Sequence, residues 1–237
     1  MKIEVIQGGD IYSDMEIAEY LAEKTHLPGS NKHVCNFHVN HATTTCVVEL
    51  GFKRRLGSDP DFTHRIRMIN ALAYIPLDCI CAVSARLGNY LKEKDVDAYK
   101  VWVEFDKELV RGMVDEKTLH DIPPRWAPET WNCYQKVLEG KKRTTGSAEA
   151  WHRRLENIIE KPHPDFVSFC KAIMAEWIRI YTEIEQLGQG MTREDIRKRN
   201  KDLEAREKRM FNVVQSMTTY KEGPIEYLDA LARASKL

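Results

Sequence analysis

Apolar residues recur at helical spacing along most of this chain, and this periodicity is the feature that most restricts its fold. The stretch "FTHRIRMINALAYIPLD" places Phe62, Ile66, Ile69 and Ala73 on one helix face, and Pro76 is expected to end that helix. The most regular stretch, "DFVSFCKAIMAEWIRIYTEIEQL", is followed by helix-breaking glycines. The chain is therefore predicted to be mostly helical.

Strand-like alternation of apolar and polar residues is limited to the first forty residues. "MKIEVIQGGDIYSD" alternates on both sides of Gly8-Gly9 and predicts a β-hairpin. A helical stripe from Ile17 follows, and then "KHVCNFHV", from Lys32 to Val39, predicts a further strand. In "DAYKVWVEFDKELV" the pattern fits a helix or a strand equally well. Because a complete sheet needs more strands than these, the predicted fold class is α/β with helix dominant and an incomplete sheet at the N-terminus.

Charge and cysteine usage narrow the class of protein. The 237 residues contain 36 basic and 36 acidic side chains, so net charge does not indicate a polyanionic partner, and only local clusters could. Six cysteines are scattered along a chain without a signal-like apolar run, which is typical of reduced thiols in an intracellular protein. No apolar stretch approaches the length of a membrane span, so a soluble protein without membrane contact is predicted.

The segment "KKRTTGSAEAWHRRLENII", from Lys141 to Ile159, allows two interpretations of Glu149. In the first, Ser147 caps a helix, and Glu149 lies near the positive helix end and pairs with Arg153 one turn further on. In the second, the helix holds the Glu149 carboxylate at a working site. The local pattern alone favours the first interpretation, so the choice depends on the rest of the chain.

Three further patterns bear on that choice, and they occur in a fixed order. "YSDMEIA" has an Asp at a predicted strand end before a helix, "CNFH" is a Cys-x-x-His, and "RTTGSAEAWHRRL" is followed by "HPDF". Together with "RWAPETWNCYQ" and "RIRMINALAYIPLD", they resemble the later part of the catalytic domain of Mutator-like DDE transposases. The resemblance covers the chain from about Ile11 to Lys171. Most family members have two Asn before the last acid, where this chain has Thr145-Gly146.

The resemblance implies an RNase H-like sheet that is interrupted by a large α-helical insertion. Residues 1–40 would be the remnant of the RNase H-like core, and residues 41–142 the helical insertion. Residues 143–187 would contain the core helix bearing Glu149 and the helix after it, and residues 188–237 a charged helical tail. The family's sheet carries three catalytic acids. Asp14 corresponds to the second of them and Glu149 to the third.

Asp14 and Glu149 are therefore the candidate catalytic and metal-binding residues. Two Mg2+ ions can activate a water or a 3′-hydroxyl and stabilise the leaving oxygen during DNA cleavage and strand transfer, and Mg2+ prefers carboxylate oxygens. The resemblance implies Mg2+ or Mn2+, and we expect the two carboxylates to lie close enough to share one ion. The family's first Asp lies upstream of the part matched here, so we expect weak or absent metal binding and no catalysis from this chain alone.

The resemblance implies a structural role for the Cys-x-x-His formed by Cys35 and His38. A structural zinc site needs four converging ligands, usually as two close pairs, and no well-spaced second pair follows here, which disfavours zinc. Cys79 and Cys81 lie in an apolar run and are expected in the core. The same is expected of three tryptophans, Trp126, Trp131 and Trp151.

A basic run just before Glu149, formed by Lys141, Lys142 and Arg143, is the candidate for contacting a DNA backbone. The function that the resemblance implies is that of a transposase-derived nuclear protein, either a truncated copy of a mobile element or one retained by its host. DNA would be its partner, and the resemblance leaves room for a homo-oligomer. The alternative is a non-enzymatic nuclear protein that binds DNA or another protein through its helical scaffold.

Overall fold

Helices dominate the computed structural model of the protein, as the periodicity predicts. It describes residues 9–159, 163–192, 196, 201–217 and 223–235, with the backbone alone at Ser147 and Ala148. The chain divides into two units, one made of Met1–Thr144 with Arg206–Leu237 and the other of Thr145–Ala205. The predicted boundary after residue 142 lies close to this division, whereas the predicted tail is split between the two units.

A β-α-β unit opens the described part of the chain. Strand β1 (Asp10–Ser13) is followed by helix α1 (Ile17–His26) and strand β2 (Asn31–Val34), and the strands pair in parallel from Asp10↔Asn31 to Ser13↔Val34. The predicted hairpin is not tested as a whole, because its first strand lies outside the described residues. The predicted strand from Lys32 to Val39 is wrong in its second half. The strand ends at Val34, and a helix begins at Asn36.

The remaining elements are helices and one short antiparallel ladder. In the first unit, α2 to α6 span Asn36–Glu49, Lys53–Ser58, Pro60–Asn70, Ile80–Lys94 and Val96–Leu109, and a 3-10 helix at Ala71–Tyr74 follows α4. Strands β3 (Met113–Val114) and β4 (Asp121–Ile122) precede α7 (Pro128–Trp131) and α8 (Tyr134–Leu138). The later helices are α9 (Gly146–Ile159), α10 (Phe166–Gly188), α11 (Lys201–Gln215) and α12 (Pro224–Ala234). The segment that fitted a helix or a strand is α6.

Aspartates fix the starts of α4 and α6, and one arginine joins them. Asp59 accepts a hydrogen bond from the Phe62 amide at 3.0 Å, and Asp95 accepts from the Asp97 and Ala98 amides, which satisfies donors that a helix start leaves free. The Arg55 guanidinium donates to both of these aspartates, at 2.6 Å and 2.9 Å. This single side chain therefore connects the starts of two helices.

The core of the first unit lies where α4, α5, α6 and α12 meet the 3-10 helix. All four residues of the face predicted from the sequence are buried: Phe62, Ile66, Ile69 and Ala73. Trp126 and Trp131 are buried as expected, and the Trp131 indole N–H donates to the Leu109 carbonyl at 3.0 Å. Trp151, in the second unit, is only partly buried.

Helix α12 returns from the end of the chain into this core. Its inward side chains are fully buried: Tyr227, Leu228, Leu231 and Ala232. The Tyr227 hydroxyl donates to the Tyr74 carbonyl at 3.2 Å, and His64 lies 2.6 Å from Asp229. Hydrogen bonds from Arg233 and His64 lower the pKa of Asp229, which keeps this carboxylate ionised beside α4.

In the second unit, α9 and α10 pack through a polar contact. Glu176 is buried, and its carboxylate lies 2.9 Å from Arg179 on the same helix and 3.6 Å from Arg154 on α9. The hydrogen bonds from Arg179 hold the pKa of Glu176 below its usual range. The large apolar side chains of α10 are exposed, so the buried side of this helix consists of Ala172 and Glu176. Within the described part of the chain, no helix combines the length and apolar content needed to cross a bilayer.

Candidate functional site

Two of the predicted site positions lie at the same end of the parallel strands. Asp14 directly follows β1, and Cys35 directly follows β2. The Cys35 amide donates to the Ser13 carbonyl at 2.9 Å, so the ladder continues one step beyond the assigned strands. Because carboxyl ends of neighbouring parallel strands meet at one sheet edge, residues separated by a whole helix in sequence come together there.

His38 brings the Cys-x-x-His segment to Asp14. Cys35 occupies the N-cap position of α2, and the His38 amide donates to the Cys35 carbonyl at 3.0 Å. This turn places the His38 Nδ1 atom 3.1 Å from the Asp14 Oδ1 atom, with the Asp14 side chain half exposed. The contact becomes an ion pair when the imidazole is protonated, so the acid and the histidine form one polar group at the strand ends.

The two positions of the Cys-x-x-His differ in their surroundings. The Cys35 side chain is buried, whereas about a quarter of the His38 side chain is exposed. Burial suits a thiol that packs as a small apolar group, which agrees with the expected structural role. Among the described residues, none of the six cysteines forms a disulfide bond. The expectation that Cys79 and Cys81 both lie in the core is wrong for Cys81, which is exposed at the start of α5 because it points away from the packed face.

Glu149 belongs to the second unit and lies in the first turn of α9. The helix begins at Gly146, one residue before Ser147, so the predicted cap position at Ser147 is wrong. Thr145 precedes the helix instead: its carbonyl accepts from the Glu149 amide at 3.1 Å, and its hydroxyl donates to the Glu149 carboxylate at 3.0 Å. Glu149 is thus a partly buried acid that is held at a helix start. Its approach to Asp14 stays a prediction.

The three residues of the basic run, Lys141, Lys142 and Arg143, differ in their exposure to solvent. Lys141 is exposed and lies 2.7 Å from the Glu139 carboxylate, and Lys142 is exposed. Arg143 is largely enclosed, where it pairs with Glu207 and lies over the Tyr74 ring. Positive charge that a phosphate backbone could reach is therefore concentrated on the two lysines.

A second titratable cluster, which no sequence pattern indicated, lies on one face of the β1–β2 ladder. Tyr12 and His33 are partners in the register, with ring centres 5.2 Å apart, and His33 Nε2 lies 3.3 Å from the Asp10 carboxylate. The Lys136 ammonium group from α8 lies 4.9 Å from the centre of the Tyr12 ring. Lys136 is only 8% exposed, and its nitrogen has no hydrogen-bond partner among the described residues.

Burial dominates the electrostatics of this cluster. It lowers the pKa of Lys136 and of His33, and it raises the pKa of Tyr12 to about 12. Each of these shifts favours the neutral form. In sequence, Lys136 is an ordinary residue of the short helix "YQKVL", and its burial comes from strands more than one hundred positions earlier. Local patterns carry no signal for such a contact.

Substituting Lys136 with methionine is expected to stabilise the first unit by about 1 kcal/mol at pH 7. An enclosed ammonium without a hydrogen bond costs about 1–3 kcal/mol, and a cation–π contact returns about 0.5–2 kcal/mol. The folded-state pKa of Lys136 is lowered, so the penalty is complete below that value and disappears as pH rises towards the unfolded-state value near 10.4. Urea denaturation at pH 7 and pH 10 measures both the gain and its decrease.

Lys92→Met is the matched control for this substitution. Lys92 also lies over a ring, that of Tyr99 at 6.0 Å, but it is exposed. Removing it takes away a cation–π contact without relieving burial, so no gain in stability is expected. Equal stabilisation by the two substitutions, or destabilisation by Lys136→Met, would contradict a penalty specific to the enclosed amine.

Comparison with known proteins returns no relative: no family model, no curated protein and no solved structure matches this chain. A function can therefore be inferred only from the residues at the strand ends, the acid at the start of α9 and the sequence patterns that contain them.

Proposed function

We propose that this chain derives from the catalytic domain of a Mutator-like DDE transposase, and that its β-α-β unit is the later part of an RNase H-like sheet. The supporting observation is the pairing of two motifs that are distant in sequence. Asp14 and the Cys35–His38 segment follow adjacent parallel strands joined by one helix, and His38 reaches Asp14. An RNase H-like sheet requires a parallel pair with an acid at its carboxyl end, and the resemblance names the same Asp.

The donor atoms at the strand ends fit a hard cation in part. Asp14 offers a half-exposed carboxylate, which suits Mg2+ or Mn2+, whereas the thiol of Cys35 and the imidazole of His38 suit softer metals. Asp14 and Glu149 would hold the ion, and a bound Mg2+ would supply charge stabilisation to a reacting phosphate. His38 Nδ1 lies 3.1 Å from the Asp14 carboxylate and would be a neighbour of the ion.

The proposed activity of this chain alone is metal and DNA binding without cleavage. The family's chemistry uses three acids, and the resemblance identifies two of them in these 237 residues. A single ion held by two carboxylates lacks the second ion that stabilises the other oxygen of the displacement. Lys141 and Lys142 would contribute sequence-independent DNA affinity, and we propose a nuclear location on the same grounds.

Mn2+ binding of about millimolar strength is the first expected result, with Asp14→Ala and Glu149→Ala each abolishing it. Both substitutions remove a carboxylate that Mn2+ would need, and neither acid lies in the main core. Electron paramagnetic resonance titration of free Mn2+ measures the effect without any catalytic assay. Glu116→Ala, at an exposed acid elsewhere in the first unit, is the matched control and should bind like the parent chain. Retained binding in both acid variants would refute the proposed site.

DNA binding and nicking complete this test. Duplex DNA affinity should fall with rising salt and weaken in Lys141→Gln/Lys142→Gln, but it should survive Glu149→Ala, because the lysines and not the acids would contact phosphate. Incubation of supercoiled DNA with Mn2+ should give no nicked product. Robust metal-dependent nicking that Glu149→Ala removes would show a complete catalytic site and overturn the proposal of inactivity.

A protein-interaction module is the second candidate function, and one observation favours it. The large apolar side chains of α10 lie on the surface of the second unit. A host-retained protein that keeps its helical scaffold for binding would preserve such a face after catalysis is lost. This role is compatible with transposase ancestry.

A further inference from the structure

Helix α10 presents its polar side to its neighbour and its apolar side outward. Ala172 and Glu176 are the buried positions of the helix, and the charged contact with Arg154 on α9 lies on their side. Trp177 and Ile184, on the opposite side, are 68% and 60% exposed. In most globular proteins the apolar stripe of an amphipathic helix faces the core, so this reversal calls for a partner on the outer side.

The outward face has the spacing of a coiled-coil seam. Its central residues follow one another at alternating intervals of four and three positions along the whole helix, and all are exposed: Phe166, Cys170, Ile173, Trp177, Ile180, Ile184 and Leu187. This is the 3.5-residue period that keeps a seam facing a parallel or antiparallel partner helix. Three further exposed residues on one flank, Val167, Met174 and Tyr181, widen the face.

We propose that two copies of this chain pair through the outward face of α10, so that the two α10 helices run antiparallel against each other and each α9 lies on the far side of its own α10. The face leaves roughly 1,000 Å² of apolar surface open in one copy, because each of its ten side chains exposes on average about half of the roughly 200 Å² of a large side chain. A stable interface needs about 800 Å² from each partner. One seam of this size is therefore sufficient for a homodimer without help from the first unit.

Antiparallel pairing lets the seam close over its full length. When the two antiparallel helices overlap along their whole length, each seam residue of one copy lies opposite a seam residue of the second copy. The layers pair Cys170 with Leu187, Ile173 with Ile184, and Trp177 with Ile180, each occurring twice by symmetry. In every layer the two side chains differ in size or match as isoleucines, so the bulky indoles are separated along the axis and do not meet at the centre.

The charges beside the seam also favour a second copy in this orientation. Lys171 and Glu185 lie on the same flank, equally far from Ile178 near the middle of the helix, and both are exposed. An antiparallel pair brings Lys171 of each copy next to Glu185 of the second copy, whereas a parallel pair holds each residue at the level of its own counterpart. The chain has equal numbers of acidic and basic residues, so copies do not repel one another at long range.

Sedimentation equilibrium of the full chain tests the pairing. The parent protein, of 27.5 kDa, should sediment at twice that mass at micromolar concentration. Trp177→Glu/Ile184→Glu places charges in the seam and should raise the dimer dissociation constant by more than about 100-fold, with unchanged circular dichroism because both side chains are exposed in one copy. Leu21→Glu, at an exposed leucine of α1, is the matched control and should remain dimeric.

Further experiments test whether the two α10 helices pair in the antiparallel orientation. Lys171→Glu or Glu185→Lys should each weaken the dimer by roughly fivefold, and the double exchange should restore it. Leu187→Cys should form a disulfide with Cys170 of the second copy on mild oxidation with copper phenanthroline, whereas a parallel pair would cross-link Cys170 to itself in the parent chain. A parent chain that is monomeric at tens of micromolar, or a seam variant that stays dimeric, overturns the proposal. Failure of the exchange together with a Cys170–Cys170 cross-link overturns the antiparallel arrangement.

Discussion

Deletion of α12, residues 223–237, is expected to abolish cooperative folding of the first unit. Four fully buried side chains would leave the core together: Tyr227, Leu228, Leu231 and Ala232. Truncating one large core side chain costs about 2–5 kcal/mol, and a domain has only about 5–15 kcal/mol of stability in total. The loss therefore exceeds the stability of the unit, although only 15 of the 237 residues are removed.

The single substitution Leu231→Ala measures the same contribution in a folded protein. It should lower the free energy of unfolding by about 2–5 kcal/mol, because the surrounding helices cannot collapse fully into the cavity. Urea denaturation followed by far-ultraviolet circular dichroism gives the value. Glu226→Ala, at an exposed position of the same helix, should cost less than about 1 kcal/mol. A deletion variant that unfolds with the same midpoint as the full chain would show that α12 is not part of the core.

The positions of the helices were predicted well from the sequence, because the signals for a helix lie in residues that are close together in the chain. The face of Phe62, Ile66 and Ile69 was predicted from 3.6-residue periodicity, and the Pro60 and Asp59 that begin α4 are themselves start signals. The wrong predictions concern short segments whose pattern fits more than one type of secondary structure. "KHVCNFHV" contains enough β-favouring residues for a strand, but its second half continues into a helix whose later residues lie outside the run.

Which strands and which side chains contact each other could not be predicted from the sequence, because these contacts join residues that are far apart in the chain. The sequence "DIYS" does not show that this strand pairs in parallel with "NKHV". Parallel pairing needs a crossover such as α1, but this role of α1 becomes clear only when the two strands are known to pair. For the candidate site, the order of Asp14 and the Cys-x-x-His was visible in sequence, whereas the 3.1 Å approach of His38 to Asp14 was not. The Lys136 cluster was missed for the same reason.

The period of α10 illustrates a further limit of sequence analysis. The same apolar repeat that predicts a helix fits a helix buried within one chain and a helix that packs against a second copy. The structure distinguishes these cases through Glu176, which is buried against Arg154 and so identifies the inner side of the helix. The buried carboxylate of Glu176 on the inner side, and not apolar periodicity, is the observation that directs the seam outward.

Gly88, in the middle of α5, is a position where a single added methyl group is expected to be strongly destabilising. A Cβ atom built there would come within 2.7 Å of the Trp102 ring on α6, well inside van der Waals contact. The ring cannot move away freely, because its indole N–H donates to the Ser84 hydroxyl at 3.1 Å and that hydroxyl donates to the buried Asp106 carboxylate at 2.6 Å. The stacked Tyr99 ring restricts it further.

Gly88→Ala should therefore destabilise the first unit by about 2–4 kcal/mol, although alanine favours helices over glycine by about 1 kcal/mol. Steric overlap outweighs helix propensity here because α5 and α6 are held at this distance by the Ser84–Asp106 hydrogen bond. Thermal and urea unfolding of the variant measure the loss. Gly57→Ala in α3 is the matched control: outside the helix's own backbone, no atom of the described residues lies within 4 Å of its added Cβ, so it should be neutral or stabilising by about 0.4–1 kcal/mol.

A double-mutant cycle assigns the effect to the ring. Trp102→Leu removes the indole and is destabilising by itself, because it opens a cavity and leaves the Ser84 hydroxyl with one partner fewer. In that background the added methyl group meets empty space, so Gly88→Ala should cost less than about 1 kcal/mol or become favourable. The coupling energy between the two positions should be at least about 2 kcal/mol. If the destabilisations caused by the two substitutions simply add, the helices must separate to accept the methyl group. Glycine would then not be required for the close approach of α5 and α6.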